Sequence, residues 1–187
     1  MTKHSDLTLS YHQWTVPDYH KLGEIGLFAD QRVELLSGEI IDMSPIGKLH
    51  AATVKSLLKL FEKSLGDAWI VSVQDPIVLD DHSEPEPDVA ILKPEKRFYA
   101  DGLPKAADVL LVVEVADTTL QKDRLVKLPL YAEAGIPEYW IVNLIDEVLE
   151  RYTQPKGSEY AMRQLYRKGD VLEGDLLGSV SLVKILL

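Results

Sequence analysis

Residues 109–115, Val109-Leu110-Leu111-Val112-Val113-Glu114-Val115, decide the fold of this chain. Five aliphatic side chains follow one another without polar alternation, the pattern of a strand covered on both faces. A helical stretch follows over Thr119–Ala134, with Gly135 placed to end it and Pro137 just beyond. Pro129 lies inside it and predicts a kink. Tyr139–Asn143 and Val148–Thr153 then predict two further strands. Upstream, Trp69–Val73, Pro76–Leu79 and Asp88–Leu92 also read as extended. Between Gly47 and Leu65 the period is helical, with Val54, Leu57, Leu58, Phe61 and Leu65 on one face. Lys55, Lys59 and Lys63 form a stripe opposite, either a solvated face or a phosphate-contacting one. Further out, Arg32–Leu36 and Glu39–Met43 flank Ser37-Gly38 as a hairpin. Thr15-Val16-Pro17-Asp18 reads as the capped start of a helix reaching about Phe28, weakened by Gly23 and Gly26. The tail from Glu159 alternates enough for short strands. The order predicts an α/β domain, or an α+β one, with helices flanking a central mixed sheet.

The 187 residues suit one domain, 1–187, with residues 1–13 as a flexible N-terminal segment. Hydrophobic residues at 46% and charged residues at 27% argue against disorder. Apolar runs fall far short of a membrane span, and Met1–Ser10 lacks the apolar stretch of a signal peptide, so a cytoplasmic protein is expected. The absence of cysteine excludes disulfides, thiolate metal sites and Cys nucleophiles. With a formal net charge of −10, the overall field repels nucleic acid, and binding it would require a local basic patch or metal ions. His4, His12, His20, His50 and His82 show no ligand spacing, which speaks against a three-histidine zinc site. His50 reads as a polar helix-start residue or a phosphate contact. No Walker loop, G-x-G-x-x-G fingerprint or G-x-S-x-G elbow occurs, which disfavours P-loop hydrolases, dinucleotide oxidoreductases and α/β-hydrolases.

What needs explaining is acid at the ends of apolar strands. Asp88 opens one strand and Glu114 interrupts another, where a carboxylate needs a cation, hydrogen bonds or solvent. Either both simply reach water, or the two strands are neighbours and the carboxylates converge. In the second case they and a backbone carbonyl form part of a shell suited to Mg²⁺ or Mn²⁺. Asp123 and Lys127, at i, i+4, share a helix face with Tyr131. They form an ordinary ion pair, or else Lys127 reaches back toward the carboxylates to orient a water. Glu34, mid-strand between Val33 and Leu35, is a third candidate, with solvent as the plain alternative.

At these residues the chain resembles the restriction-endonuclease-like proteins abundant in cyanobacteria, within the PD-(D/E)XK nuclease superfamily. The resemblance is carried by WTVPDYHKLGEIGLF, RVELLSGEIIDMSPIGKLHA, EPDVAIL and LLVVEVADTTLQKDRLVKLPLYAEAGIPEYWIVNL, from Trp14 to about Tyr152. It implies a restriction-endonuclease-like core, a four-stranded mixed sheet flanked by helices with additional strands. It also implies metal-dependent hydrolysis of DNA phosphodiester bonds, with catalytic residues Glu34, Asp88, Glu114 and Lys127. Asp88, Glu114 and the Val115 carbonyl would hold one Mg²⁺ or Mn²⁺. One departure is plain: Glu-x-Lys would put lysine at 116, where this chain has Ala116. The resemblance moves that role to Lys127, with Lys122 the nearest rival. Lys93, Lys96, Arg97, Lys105, Lys122 and Arg124 are the expected basic patch around the mouth, and a homodimer the expected assembly. The alternative of another class is an inactive nuclease fold acting as a binding or scaffold protein.

Overall fold

The computed structural model describes residues 11–174 and 176–187. His4 and most of the expected flexible segment lie outside them. The first helix, α1 (Val16–Glu24), is capped by Thr15, whose hydroxyl accepts from the Asp18 N–H and donates to the Asp18 carboxylate at 2.6 Å. It ends four residues earlier than the pattern predicts, with Gly26 at φ +81° just beyond its end. Strands β1 (Val33–Leu36) and β2 (Glu39–Asp42) form the predicted hairpin, Leu36 pairing with Glu39. Ser37 and Gly38 both take positive φ, as a two-residue turn matched to strand twist requires.

Helix α2 (Lys48–Leu65) precedes the central sheet. That sheet runs β3 (Ile70–Ser72), β4 (Val89–Leu92), β5 (Val109–Ala116), β6 (Glu138–Asn143), β7 (Val148–Lys156) and β8 (Glu159–Arg167), side by side in that order. Only β5 and β6 are parallel, so the sheet is mixed and six-stranded. Between β5 and β6 run α3 (Leu120–Lys122), a π-helical turn (Asp123–Lys127) and α4 (Leu128–Glu133) without a break. Beyond β8, β9 (Val171–Gly174) and β10 (Gly178–Ser181) pair with each other.

The unalternating run in β5 is explained by its two covers. Val54, Leu57 and Phe61 of α2 pack with Val89, Val113, Val115 and Trp140 on one face. Tyr131 packs with Ala90, Val112, Ala116 and Ile141 on the other. Leu172, Val180 and Ile185 extend the α2-side core.

Three further expectations change. Pro76–Leu79 is not a strand: Pro76 has no N–H to give, and Val78 makes only an isolated bridge to Lys105. The helix after β5 widens into a π-helical turn over residues 123–127, directly before Pro129, whose ring nitrogen cannot donate to the preceding turn. The tail holds a nine-residue strand, β8, longer than the short strands predicted.

Candidate active site

Strand register brings the two carboxylates together. Val89 pairs with Val113 in antiparallel register, so the next residues outward, Asp88 and Glu114, stand opposite each other. Side chains alternate along a strand, and both fall on the face of Ala90 and Val112, beneath the π-helical turn. Asp88 accepts the Val115 N–H at 2.8 Å through one oxygen. Its other oxygen receives His50 Nε2 at 2.8 Å and Gln74 Nε2 at 3.4 Å. The N–H and C=O of one extended residue share an edge of the strand. The Val115 carbonyl therefore lies toward Asp88, whereas Ala116 gives its carbonyl to Leu144 on the β6 side.

Glu114 is buried, and its Oε1 accepts both Lys127 Nζ and Tyr131 OH at 2.9 Å. Lys127 Nζ also lies 3.0 Å from Glu34 Oε2, while Lys122 donates to Glu34 Oε1 at 2.8 Å. Glu34 is wholly buried: its strand is covered on both sides, and the solvent alternative for it does not hold. The anticipated Asp123–Lys127 ion pair does not form. Lys127 is drawn to two other carboxylates, and Asp123 accepts from Thr119 Oγ1 at 2.7 Å.

Electrostatics follow from this crowding. Burial pushes the Glu114 carboxyl up to about 8, the Lys127 ammonium pulling against it and Asp123, Asp88 and Glu34 adding to it. Burial works against the charged form of Lys127, but Glu114, Glu34 and Asp123 outweigh it and keep the ammonium protonated. Glu34 is opposed by burial too, yet Lys127 and Lys122 hold its carboxyl below the usual range. At His50 burial is outweighed by Asp88, Asp117 and Glu114, which raise its pKa.

The pocket over these groups encloses about 50 Å³, room for an ion or a few waters rather than an organic ligand. Among the described residues no three His, Asp or Glu side chains form a closed metal cage. The donors at hand, two carboxylates and a turned-in carbonyl, are hard oxygens of the kind Mg²⁺ and Mn²⁺ take, and the donor set fits such an ion.

The expected basic patch is redistributed. Lys93, Lys96, Arg97 and Lys105 lie by the opposite end of the sheet, where Leu92 pairs with Val109. Lys93 N there bonds Asp108 O, and Arg97 pairs with Asp101. Arg124 points away to Glu150. Of the six, only Lys122 lines the pocket, joined there by Arg32, which pairs with Glu86 at 2.9 Å. Lys55, Lys59 and Lys63 stand exposed on α2. His50 is neither a plain helix-start residue nor a free phosphate contact, since it supports Asp88. Tyr131 was legible as a neighbour of Lys127 by spacing, whereas its bond to Glu114 needs the tertiary fold.

The model of the Uma2 family, described as "Putative restriction endonuclease", matches residues 16–183. Among solved structures the chain is similar to "a putative nuclease belonging to DUF820 from Anabaena variabilis", with a TM-score of 0.70 at 11% identity. That likeness covers 92% of this chain and 97% of the other, and it concerns the fold. No curated protein matches the chain.

Proposed function

The chain belongs to the Uma2 family, and on that premise we propose that it is a Mg²⁺- or Mn²⁺-dependent endonuclease that hydrolyses DNA phosphodiester bonds. One observation carries the reading: a buried Lys127 whose Nζ lies 2.9 Å from Glu114 Oε1, with Asp88 standing opposite Glu114 on the neighbouring strand. The residues that would hold the ion are Asp88, Glu114 and the Val115 carbonyl. When bound, the ion lowers the pKa of a water and offsets charge on phosphoryl oxygens. The chain's own groups do the placing. His50 and the Val115 N–H fix Asp88, and Tyr131 fixes Glu114. Lys127 is held between two carboxyl groups and lines the pocket, where its ammonium would orient a water and a phosphate oxygen. Glu34 anchors Lys127 and Lys122 from above and completes the acidic set. Of the two lysines, Lys127 suits the catalytic role better, because it touches Glu114 and Lys122 does not.

A second reading, a nuclease fold that binds without cutting, draws on the same Lys127–Glu114 contact, which occupies a carboxylate oxygen the metal would need. Calorimetric titration with Mn²⁺ separates them. Uptake by the wild type that is lost in Asp88→Ala and in Glu114→Ala supports the metal-dependent enzyme, whose DNA cleavage should then vanish in Lys127→Ala. A folded wild type that takes up no Mn²⁺ at millimolar concentration overturns it in favour of the non-catalytic protein.

A further inference from the structure

Two strands from Glu114, in the same cross-strand row, stands a second buried glutamate that the proposed chemistry does not use. Glu114 pairs with Ile141, Ile141 with Glu150, and Glu150 with Leu165. At about 4.8 Å per strand step, Glu150 lies roughly 10 Å from Glu114 on the same face. The π-helical turn sits between them and is clamped at both sides, Lys127 on Glu114 and Arg124 on Glu150.

Glu150 is wholly buried, and what it organises is a cluster of guanidinium groups. It accepts Arg124 through Nε and Nη2, Arg163 Nη2 at 2.9 Å and the Tyr152 hydroxyl at 2.5 Å. The Arg163 guanidinium also lies 5.7 Å from the Tyr152 ring centre, a second restraint on its plane. Arg167, two residues past Leu165, lines the same cavity; its backbone N–H bonds Asp170 at 2.7 Å, and its guanidinium forms no salt bridge among the described residues. Asp146, the other acid there, accepts from the Asn143 amide. The cavity measures about 340 Å³, and Val148 in its lining pairs with Asn143, the last residue of β6.

We propose that Arg124, Arg163 and Arg167 form a seat for a DNA phosphate flanking the scissile one. Three guanidinium groups face two carboxylates, in a chain whose net charge is −10. Two of the three are held in place by a buried anion, leaving N–H groups pre-aimed for the oxygens of a phosphate. Glu114 and Glu150 stand roughly 10 Å apart, two strand spacings, so a phosphate held here is a neighbour of the scissile one and not the scissile one itself. This seat supplies the local positive charge that the far-end lysines do not, and it rests on the nucleic-acid part of the proposed function.

The test is binding of a fluorescent DNA duplex, read by anisotropy over a range of salt concentrations without divalent metal. Wild type, Arg167→Ala and Arg163→Ala/Arg167→Ala are compared. The Arg167 side chain is exposed and in no salt bridge among the described residues, so Arg167→Ala, which keeps the backbone bond to Asp170, should keep the wild-type urea midpoint. The expected result is weaker binding, equal across DNA sequences, with the log–log salt slope smaller by about 0.9 for each arginine lost. Mn²⁺ uptake should be unchanged. Affinity and slope equal to wild type in both variants overturn the seat, as does a wild type that binds no DNA at low salt. A wild type that takes up no Mn²⁺ but loses DNA affinity with these substitutions overturns the metal-dependent enzyme and leaves the seat standing.

Discussion

Lys127 keeps its charge with a side chain only 3% exposed because Glu34, whose carboxyl is held low, and Glu114, which shares its proton equilibrium, both lie within 3.0 Å of its ammonium. Removing one member of a buried ionic group leaves the others without compensation, at about 3–5 kcal/mol. Lys127→Met should therefore lower unfolding stability by that order, visible as a reduced urea midpoint with unchanged slope. Tyr131→Phe removes only one donor from Glu114 and should cost about 1.5–3 kcal/mol in the same measurement. Their comparison separates the charge from the hydrogen bond. The acids were legible in the chain for a physical reason: a carboxylate inside an aliphatic run must be answered by something. What answers them was less so. Lys127 was approached through spacing and resemblance, but Glu34 looked solvent-facing because alternation assumes one wet face, and β1 has none. The bond of His50 to Asp88 crosses 38 residues, a distance over which no local pattern carries information.

Among the elements, the π-helical turn shows where local pattern reading stops. Apolar spacing and Pro129 indicated a bent helix, yet whether a bend is a kink or a widened turn depends on what clamps it, and Glu150 comes from a strand two elements later. Glu150 is opposed by burial, but Arg124, Tyr152 and Arg163 hold its carboxyl below the usual value near 4.5. A carboxyl depressed in the folded state contributes stability that is complete above the unfolded pKa and disappears as pH falls through the folded one. Glu150→Gln should thus cost roughly 1.5–3 kcal/mol at pH 7. It should also flatten the loss of stability below about pH 4.5 in a series of urea melts, and an acid limb as steep as wild type would contradict the clamp. The β1–β2 hairpin gives a second test at this scale. Gly38 has φ +77°, and a Cβ there would meet Gln13 Cβ at 2.7 Å. Gly38→Ala combines backbone strain with a close contact, so a fall of at least 1 kcal/mol in unfolding stability is expected, on the order of the cost of one strained residue.

At the scale of the molecule, a sheet covered on both faces ties distant parts of the chain into one core. Leu172, Val180 and Ile185 share it with Phe61 and Val113, which the weak patterning of the tail did not reveal. We propose on this basis that the chain acts as one nuclease domain. Tryptophan fluorescence and far-ultraviolet dichroism should then report a single coincident urea transition. The metal prediction also belongs here, because a ligand that binds only the folded state stabilises the whole fold. At a hundred times its dissociation constant, an ion contributes about 2.7 kcal/mol. For a chain of this size, 1 kcal/mol corresponds to about 2–4 °C, so Mn²⁺ should raise Tm by roughly 5–10 °C. General screening of a −10 protein by any divalent cation would also raise Tm, and Asp88→Ala distinguishes the two. That variant keeps a formal charge of −9, one unit from −10, so its response to screening is nearly that of the wild type. It lacks the carboxylate opposite Glu114. A Tm rise in the wild type that disappears in Asp88→Ala locates the ion between the strands, and equal rises in both place it on the surface.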